Sequence, residues 1–178
     1  TTEGLQKAAD FIRFCDAFSI PVLSLVSATG FDTTVANEKS VAREAARLIH
    51  TFADASAPKV TLLTGEAYGS AYLTMNSGHI GADLVYAWPT ASVGMMPAEN
   101  AVKIIYNDEI DASDDAQGLI AEKAAAYAAL QTSPESAAGR GYVDAVIEPE
   151  STRQHLIAAF EMLYSKRAVR PSKKHSTL

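Results

Sequence analysis

The residues with the clearest chemical potential follow an apolar run in the middle of the chain. Residues 59–64 are rich in leucine and β-branched side chains, which predicts a buried strand that ends at Gly65. The small residues that come next predict a glycine turn into a helix, whose first N–H groups have no intrahelical partner. Such a turn favours an anion or a developing oxyanion. Strand–glycine–helix turns also occur for packing reasons alone, so both interpretations stay open.

Ser70 is the candidate nucleophile at this turn, and His79 is the candidate base, nine residues later. On one continuous helix that separation is about two and a half turns and ~13 Å along the axis. A nucleophile and its base need hydrogen-bond contact, so we expect this pair to be too far apart to form a serine hydrolase site.

The remaining reactive side chains do not form a recognisable metal or redox site. The histidines lie apart in the sequence, at His50, His79, His155 and His175. None has the Cys/His/carboxylate spacing typical of zinc, so no catalytic metal is expected. The single Cys15 has apolar neighbours, which predicts a buried thiol and fits a cytoplasmic location. No apolar run reaches the roughly 18 residues of a membrane span, and the first residues lack signal-peptide character.

Length and charge indicate one globular domain over residues 1–178. A chain of 178 residues with 48% hydrophobic content is long enough for one sizeable core. The net charge of −6 argues against nucleic acid as the main partner. The C-terminal tail is locally basic at Lys166, Arg167, Arg170, Lys173 and Lys174.

The order of elements predicts an α/β fold with a parallel sheet. Apolar periodicity indicates, in order, a helix over residues 5–18, a strand over 22–26, a helix near 41–52, the central strand and its helix to 78–81, strands at 83–88, 91–96 and 142–147, and helices at 119–130, 134–139 and 152–163. Helix and strand alternate in the first half, which predicts a parallel βαβ unit. Parallel strands end at one sheet edge, so residues 27–34, the Gly65 turn and residues 88–97 should share a cleft. Trp88, Met95 and Met96 are expected in the core.

Several stretches together resemble a known family. They are, in chain order, residues 7–18 (KAADFIRFCDAF), 58–60 (PKV), 67–72 (AYGSAY), 81–83 (GAD), 87–91 (AWPTA), 139–147 (GRGYVDAVI) and the basic tail to His175. Over nearly all of its length the chain resembles the carboxyltransferase subunits of biotin-dependent acyl-CoA carboxylases and decarboxylases, of the propionyl-CoA carboxylase β and methylmalonyl-CoA or glutaconyl-CoA decarboxylase α type. The resemblance implies a crotonase-like ββα superhelix. It also implies that the chain is the C-terminal, biotin-side half, with the first strands of that half lacking.

The resemblance implies a reaction that needs no side-chain nucleophile and no metal. In that family a separate carrier protein brings the biotin, and the N-terminal half, usually of a neighbouring subunit, binds the acyl-CoA. Carboxybiotin releases CO2, backbone N–H groups hold the charge on the ureido oxygen, and the biotin anion removes the α-proton so that the enolate attacks CO2. The family's Tyr-Gly-Gly-Ala-Tyr turn aligns with residues 68–72, so the implied donors are the N–H groups of Ser70 and Ala71. The implied substrate-binding residues there are Tyr68, Gly69 and Tyr72.

The chain departs from the family pattern at three places. Ser70 replaces the second glycine of the turn, keeping the N–H but adding a side chain. The family loop Asp-Val-Pro-Gly-Phe is Ser-Ala-Thr-Gly-Phe at residues 27–31, which keeps Gly30 and Phe31 as implied substrate-binding residues. Residues 95–101 replace a glycine-bearing loop.

Two functions therefore stay open: the biotin-side part of an acyl-CoA carboxyltransferase or decarboxylase, inactive alone, and a non-catalytic assembly module of a carboxylase complex. In either case we expect a homo- or hetero-oligomer. The acyl group, the direction of carboxyl flow and whether Thr1 is a native start are open.

Overall fold

The structure is a computed structural model, and it describes residues 1–168. Its helices are α1 (Thr2–Ala17), α2 (Val35–Glu38), α3 (Val41–Asp54), α4 (Gly69–Thr74), α5 (Ala98–Ile105), α6 (Asn107–Asp111), α7 (Ala116–Tyr127), α8 (Pro134–Gly139) and α9 (Thr152–Leu163). Its strands are β1 (Val22–Ala28), β2 (Lys59–Tyr68), β3 (Leu84–Ala87), β4 (Ser92–Gly94) and β5 (Ala145–Val146). Short helical turns occupy Gly78–Ile80 and Pro149–Ser151, and a π-helical turn, Ala128–Thr132, extends α7.

The sheet is parallel and is organised around β2. Its strand order is β1-β2-β3-β5, and β4 also pairs with β2. The first part of β2 pairs with β3 at Val60–Leu63, and its last part pairs with β4 over residues 66–68. Because all of these pairs are parallel, the predicted βαβ arrangement is confirmed.

The prediction that the central strand ends at Gly65 is wrong. Strand β2 continues through Gly65 to Tyr68. The register with β1 shifts at this point, from Val26↔Leu63 to Ala28↔Ala67, so the two strands are locally irregular. A Cβ added to Gly65 would lie 2.8 Å from the Oγ of Ser27. Gly65 therefore permits close approach of the β1 chain, and it is not the turn residue.

The helix that follows β2 is shorter than the sequence predicted. Helix α4 has six residues, and Gly78–Ile80 is a separate 3₁₀ turn. Asn76 interrupts the helical path with φ of 60° and is fully buried. Its backbone oxygen accepts a hydrogen bond from the Oγ1 of Thr61 at 2.6 Å, and its side-chain amide donates back at 3.0 Å. These bonds anchor the reversal of the chain to the central strand.

Two apolar clusters form the core. Helices α1 and α3 pack on one another and bury Leu5, Ala9, Ile12, Cys15, Val22, Ala45, Leu48, Phe52 and Ala55. The second cluster joins the sheet to α4 and α8 through Val26, Leu63, Ala67, Tyr72, Val85, Ala87, Ala91, Val93, Ala137 and Val143. The buried Cys15 thiol is confirmed.

One residue expected in the core is exposed, and so is the end of the first predicted helix. Phe18, the last residue of that predicted helix, is 66% exposed and follows Ala17, where α1 ends. Met95 is 78% exposed because it follows the last residue of β4. Trp88 is partly buried, and its indole N–H donates to the Oγ1 of Thr152 at 2.8 Å.

The basic tail begins with an anchored lysine. The Nζ of Lys166 lies 2.8 Å from the carboxylate of Asp83 and donates to the backbone oxygen of Ala57 at 3.2 Å. The other tail residues named above, from Arg170 onwards, lie outside the described residues.

Strand β1 is an edge strand of the sheet and has an exposed apolar face, so we expect copies of the chain to associate. Leu23 and Leu25 are 39% and 57% exposed on its outer face. An uncovered apolar edge strand favours pairing. We expect the isolated chain to be larger than a monomer at micromolar concentration, and the Leu23→Lys/Leu25→Lys variant to shift towards monomer, both measured by light scattering.

The matched control is Ile104→Lys/Ile105→Lys on α5, where the two isoleucines are 68% and 57% exposed. A monomeric unmodified chain, or an equal shift in the control, would contradict the prediction.

Candidate functional site

A cavity opens where β2 passes into α4. Its volume is about 760 Å³, and we call it the α4 cavity. Its walls come from α4, the His79 turn, β4, the end of α7 and the region around α8. The lining residues are Gly69, Ser70, Tyr72, Leu73, His79, Val93, Gly94, Met95, Tyr127, Gln131, Thr132, Ala137, Arg140 and Tyr142.

Gly69 makes the turn that aims α4 at this cavity. Its φ of +56° lies in the left-handed region, where any residue with a Cβ is strained and glycine is not. A Cβ on Gly69 would lie 3.0 Å from the backbone oxygen of Met95. The turn is therefore packed against the segment after β4, and this contact fixes the position of the first turn of α4.

The N–H groups of Ser70 and Ala71 lie in that first turn. As the second and third residues of α4 they have no intrahelical acceptor. Within residues 1–168, neither N–H donates to a backbone or side-chain acceptor outside the helix. Ser70 is exposed and lines the cavity, whereas Ala71 is 5% exposed and is not among the lining residues. The turn thus has two adjacent N–H groups without an intrahelical acceptor, and the first of them belongs to a residue that lines the cavity.

The structure brings together only part of the predicted site. Gly69, Ser70 and Tyr72 line the α4 cavity. Tyr68 and Ala71 are buried and are not among its lining residues. The loop after β1 does not contribute to the cavity. Within that loop, Phe31 packs against the α1–α3 cluster.

Gly30 of the same loop is exposed, with no atom within 4 Å of an added Cβ. The expected cleft therefore contains β4 and Met95 but not residues 27–34.

His79 lies at the same cavity as Ser70, contrary to the expectation that a long helix would separate them. The chain turns back after α4 ends at Thr74, and this reversal brings His79 to the cavity. The His79 ring stacks on Tyr142 with centroids 4.8 Å apart. No hydrogen bond joins the side chains of Ser70 and His79 in the described part of the chain, so the nucleophile–base contact is not formed.

The side chains around the cavity are cationic or neutral. His79 and Arg140 are its basic side chains, and among residues 1–168 no aspartate or glutamate lines it. The Arg140 guanidinium donates to the Gln131 side-chain oxygen at 2.5 Å and to the backbone oxygen of Leu130 at 3.3 Å. These bonds hold the cation at the cavity wall. The charge distribution favours a ligand with anionic or strongly accepting oxygens.

Several lining residues had no assigned role in the sequence. Tyr127, Gln131 and Thr132 lie at the end of α7 and in its π-helical turn, which no pattern in the sequence predicts. Arg140 and Tyr142 lie within the stretch 139–147 that carried the family resemblance. The family resemblance of that stretch could have marked these two residues as part of the site.

A second hollow is an open, mainly apolar groove of about 1020 Å³ along α9, called the α9 groove. Leu156 and Phe160 of α9 line it, together with Trp88. Within residues 1–168, no group of three or more His, Cys, Asp or Glu side chains is placed to hold a metal ion. In the same residues, no helix combines the length and the apolar character needed to cross a membrane.

Comparison with known proteins assigns the family. The model of the carboxyl transferase domain matches residues 1–178. The chain belongs to this carboxyl transferase domain family. It is 45% identical over 177 residues to the carboxyltransferase subunit of propionyl-CoA carboxylase from Haloferax mediterranei, covering 99% of this chain and 34% of that protein.

Other relatives are similar over the same length. Identity is 46% over 179 residues to a putative propionyl-CoA carboxylase beta chain of Bacillus subtilis, covering 100% of this chain and 35% of that protein. It is 43% over 174 residues to the methylmalonyl-CoA decarboxylase subunit alpha of Propionigenium modestum, covering 97% and 34%. The chain thus spans about a third of the length of these curated relatives.

The solved structures agree. The transcarboxylase 12S crystal structure, a hexamer with methylmalonyl-coenzyme A and methylmalonic acid bound, superposes with a TM-score of 0.94 at 41% identity. The superposition covers 99% of this carboxyl transferase domain chain and 34% of the 12S chain. The α/β class with a parallel sheet flanked by helices is confirmed, as is the family resemblance.

Proposed function

We propose that this chain supplies the biotin side of a carboxyltransferase active site, as the C-terminal part of a larger protein or assembly that moves a carboxyl group between carboxybiotin and an acyl-CoA. The observation that carries the proposal is that Ser70, whose N–H in the first turn of α4 has no intrahelical acceptor, lines the α4 cavity in a chain matched along its whole length by the carboxyl transferase domain. The N–H of Ala71 is the next one in the same turn.

The lining of the cavity fits a biotin group. Biotin supplies a ureido nitrogen that carries and releases the carboxyl group. The N–H groups of Ser70 and Ala71 would hold the ureido oxygen, and backbone donors of this kind need no reorganisation when negative charge develops on it. Arg140 and His79 line the cavity, and no carboxylate of the described residues lines it to repel an anion. Tyr68 and Gly69 hold the turn in place.

The other half of the reaction lies outside this chain. The transcarboxylase 12S neighbour binds methylmalonyl-coenzyme A and assembles as a hexamer. By analogy, an N-terminal carboxyltransferase half binds the acyl-CoA here, a biotin carrier protein delivers biotin, and the chain works within an oligomer and is inactive alone. Gly30 and Phe31 lie away from the α4 cavity, so a substrate contact for them belongs to a surface shared with that half. A cytoplasmic location is part of this proposal.

The alternative is a non-catalytic assembly module. It is favoured by the Ser70 side chain at the cavity and by Met95, which lies in the altered segment after β4 and lines the same cavity. Under this alternative the two side chains exclude biotin while the fold and the subunit contacts remain.

The experiment is carboxyl transfer from labelled methylmalonyl-CoA to free biotin by the complete assembly that contains this chain. The proposal predicts labelled carboxybiotin that accumulates with time and requires both substrates. An assembly that has its native size and binds the acyl-CoA, yet transfers no label, would favour the assembly module.

A further inference from the structure

The outer face of α1 carries three phenylalanines that the described residues leave exposed. Phe11, Phe14 and Phe18 are 61%, 56% and 66% exposed. Their spacing of three and four residues places them on one line along the helix. The rings of Phe14 and Phe18 lie side by side, with centroids 4.8 Å apart. Phenylalanine is among the residues most often buried, and a contiguous exposed apolar patch marks an interaction surface.

This face of α1 takes no part in the core or in either hollow. The helix buries Leu5, Ala9, Ile12 and Cys15 in the cluster that it shares with α3. Among residues 1–168, the three phenylalanines line neither the α4 cavity nor the α9 groove. They belong to the stretch 7–18 that carries the family resemblance, and the proposed carboxyl transfer does not use them.

A cation continues the aromatic line towards the N-terminus of α1. Lys7 is exposed and lies four residues before Phe11. In the described part of the chain the Lys7 ammonium has no ion pair. Asp10, beside the line, is paired with Arg47 of α3 at 2.6 Å. The surface therefore presents an unpaired cation at one end and an aromatic ring at the other.

The spacing of these four residues makes the surface complementary to a second copy of itself. Positions 7, 11, 14 and 18 are separated by four, three and four residues, so the order of intervals is the same from either end. In an antiparallel pair of α1 helices with a two-fold axis midway between residues 11 and 14, Phe11 of each copy faces Phe14 of the other. Lys7 then faces the Phe18 ring of the other copy at both ends. Aromatic pairs and a lysine over an aromatic ring both stabilise beyond the apolar area that they bury.

We propose that the α1 stripe, defined as Lys7, Phe11, Phe14 and Phe18, is the surface through which two copies of this chain pair antiparallel about a two-fold axis. Two-fold pairing is the commonest symmetry of homo-oligomers, and it covers the same apolar patch on both copies at once. The structurally similar transcarboxylase 12S assembles as a hexamer. The inference does not depend on the chemistry of the α4 cavity.

The test is a charge exchange across the two-fold axis, measured as the dissociation constant of the dimer by sedimentation equilibrium. The Leu23→Lys/Leu25→Lys background removes association through β1. In that background Phe18→Lys places like charges together at both ends of the helix pair. We expect the dissociation constant to rise on the order of tenfold or more, because each substitution acts twice in a symmetric dimer.

Adding Lys7→Glu to the Phe18→Lys chain should recover most of this loss, because opposite charges then meet at both ends. Residues 7 and 18 lie ~16 Å apart along one helix, so the recovery cannot arise within a single copy. Both side chains are exposed, and circular dichroism checks that each variant folds.

The matched control is Tyr164→Lys, which changes another exposed aromatic, 86% exposed, just beyond the end of α9. It should leave the dissociation constant unchanged. A background chain that is monomeric at micromolar concentration overturns the inference. So does a dimer that Phe18→Lys leaves intact, or one that Lys7→Glu does not restore, since the stripe then faces a different partner such as another part of a longer protein.

Discussion

Replacing Ala71 with proline is expected to lower kcat/KM for carboxyl transfer to free biotin by about 10²–10³-fold, the cost of losing one preorganised oxyanion donor. The substitution deletes the N–H of the third residue of α4, which makes no intrahelical bond. Proline is tolerated in the first turn for that reason, so the helix should survive. Circular dichroism and the size of the assembly check the fold, and steady-state transfer of labelled carboxyl measures the effect.

Ser70→Gly is the matched control for the Ala71 variant. It keeps the N–H and removes the side chain, so activity should be retained if the donor is the main chain. A serine hydrolase predicts the reverse, because turnover would depend on the hydroxyl. Loss of transfer in Ser70→Gly together with its retention in a folded Ala71→Pro protein would rule out the backbone-donor assignment.

Replacing Gly69 with alanine is the second change with a large expected effect. The left-handed conformation at φ +56° costs roughly 1–2 kcal/mol for a residue with a Cβ. The new Cβ would also lie 3.0 Å from the backbone oxygen of Met95, so the first turn of α4 must move away from the segment after β4. Displacements of about 1 Å can cost on the order of 10²-fold in rate. We expect kcat/KM to fall by that order and the Tm to drop.

Gly81→Ala is the matched control for Gly69→Ala, because it adds backbone strain at a positive φ without moving the first turn of α4. Gly81 also has positive φ, at 107°, and the nearest atom to an added Cβ is the Nζ of Lys59 at 3.9 Å. This variant should lose stability, measured as Tm, without the rate loss of Gly69→Ala. Equal rate losses in the two variants, or a fully active Gly69→Ala protein, would show that the Gly69–Met95 contact does not position the site.

The sheet was predictable because burial leaves a strong signal in strands. The apolar runs that became β1 and β2 are bounded by proline and lie between amphipathic helices, so a parallel unit followed. The position of the turn was not predictable, since Gly65 and Gly69 are four residues apart and both fit a strand end. Gly65 leaves room for Ser27, whereas Gly69 adopts a positive φ. Only tertiary contacts distinguish these two roles of glycine.

The cavity walls were predictable only in part. The turn from Gly69 to Tyr72 could be found from the local motif. His79 was misplaced because Asn76 ends the helical path through bonds to Thr61 on the central strand, and such long-range bonds are not encoded in local periodicity. Arg140 reaches the cavity through acceptors in the π-helical turn before α8.

The departures from the family pattern differ in whether they line the α4 cavity. Residues 27–31 lie outside the α4 cavity, so losing the acid and the proline of that loop does not alter its lining. Ser70 and Met95 both line it. Changes in biotin binding relative to other members of the family should therefore trace to these two positions.

A crystal structure of the complete assembly with biotin bound tests the backbone-donor assignment directly. We expect the ureido oxygen within ~3 Å of the backbone nitrogens of Ser70 and Ala71. Biotin seated in the α9 groove, or seated in the α4 cavity with its ureido oxygen held by side chains alone, would contradict it.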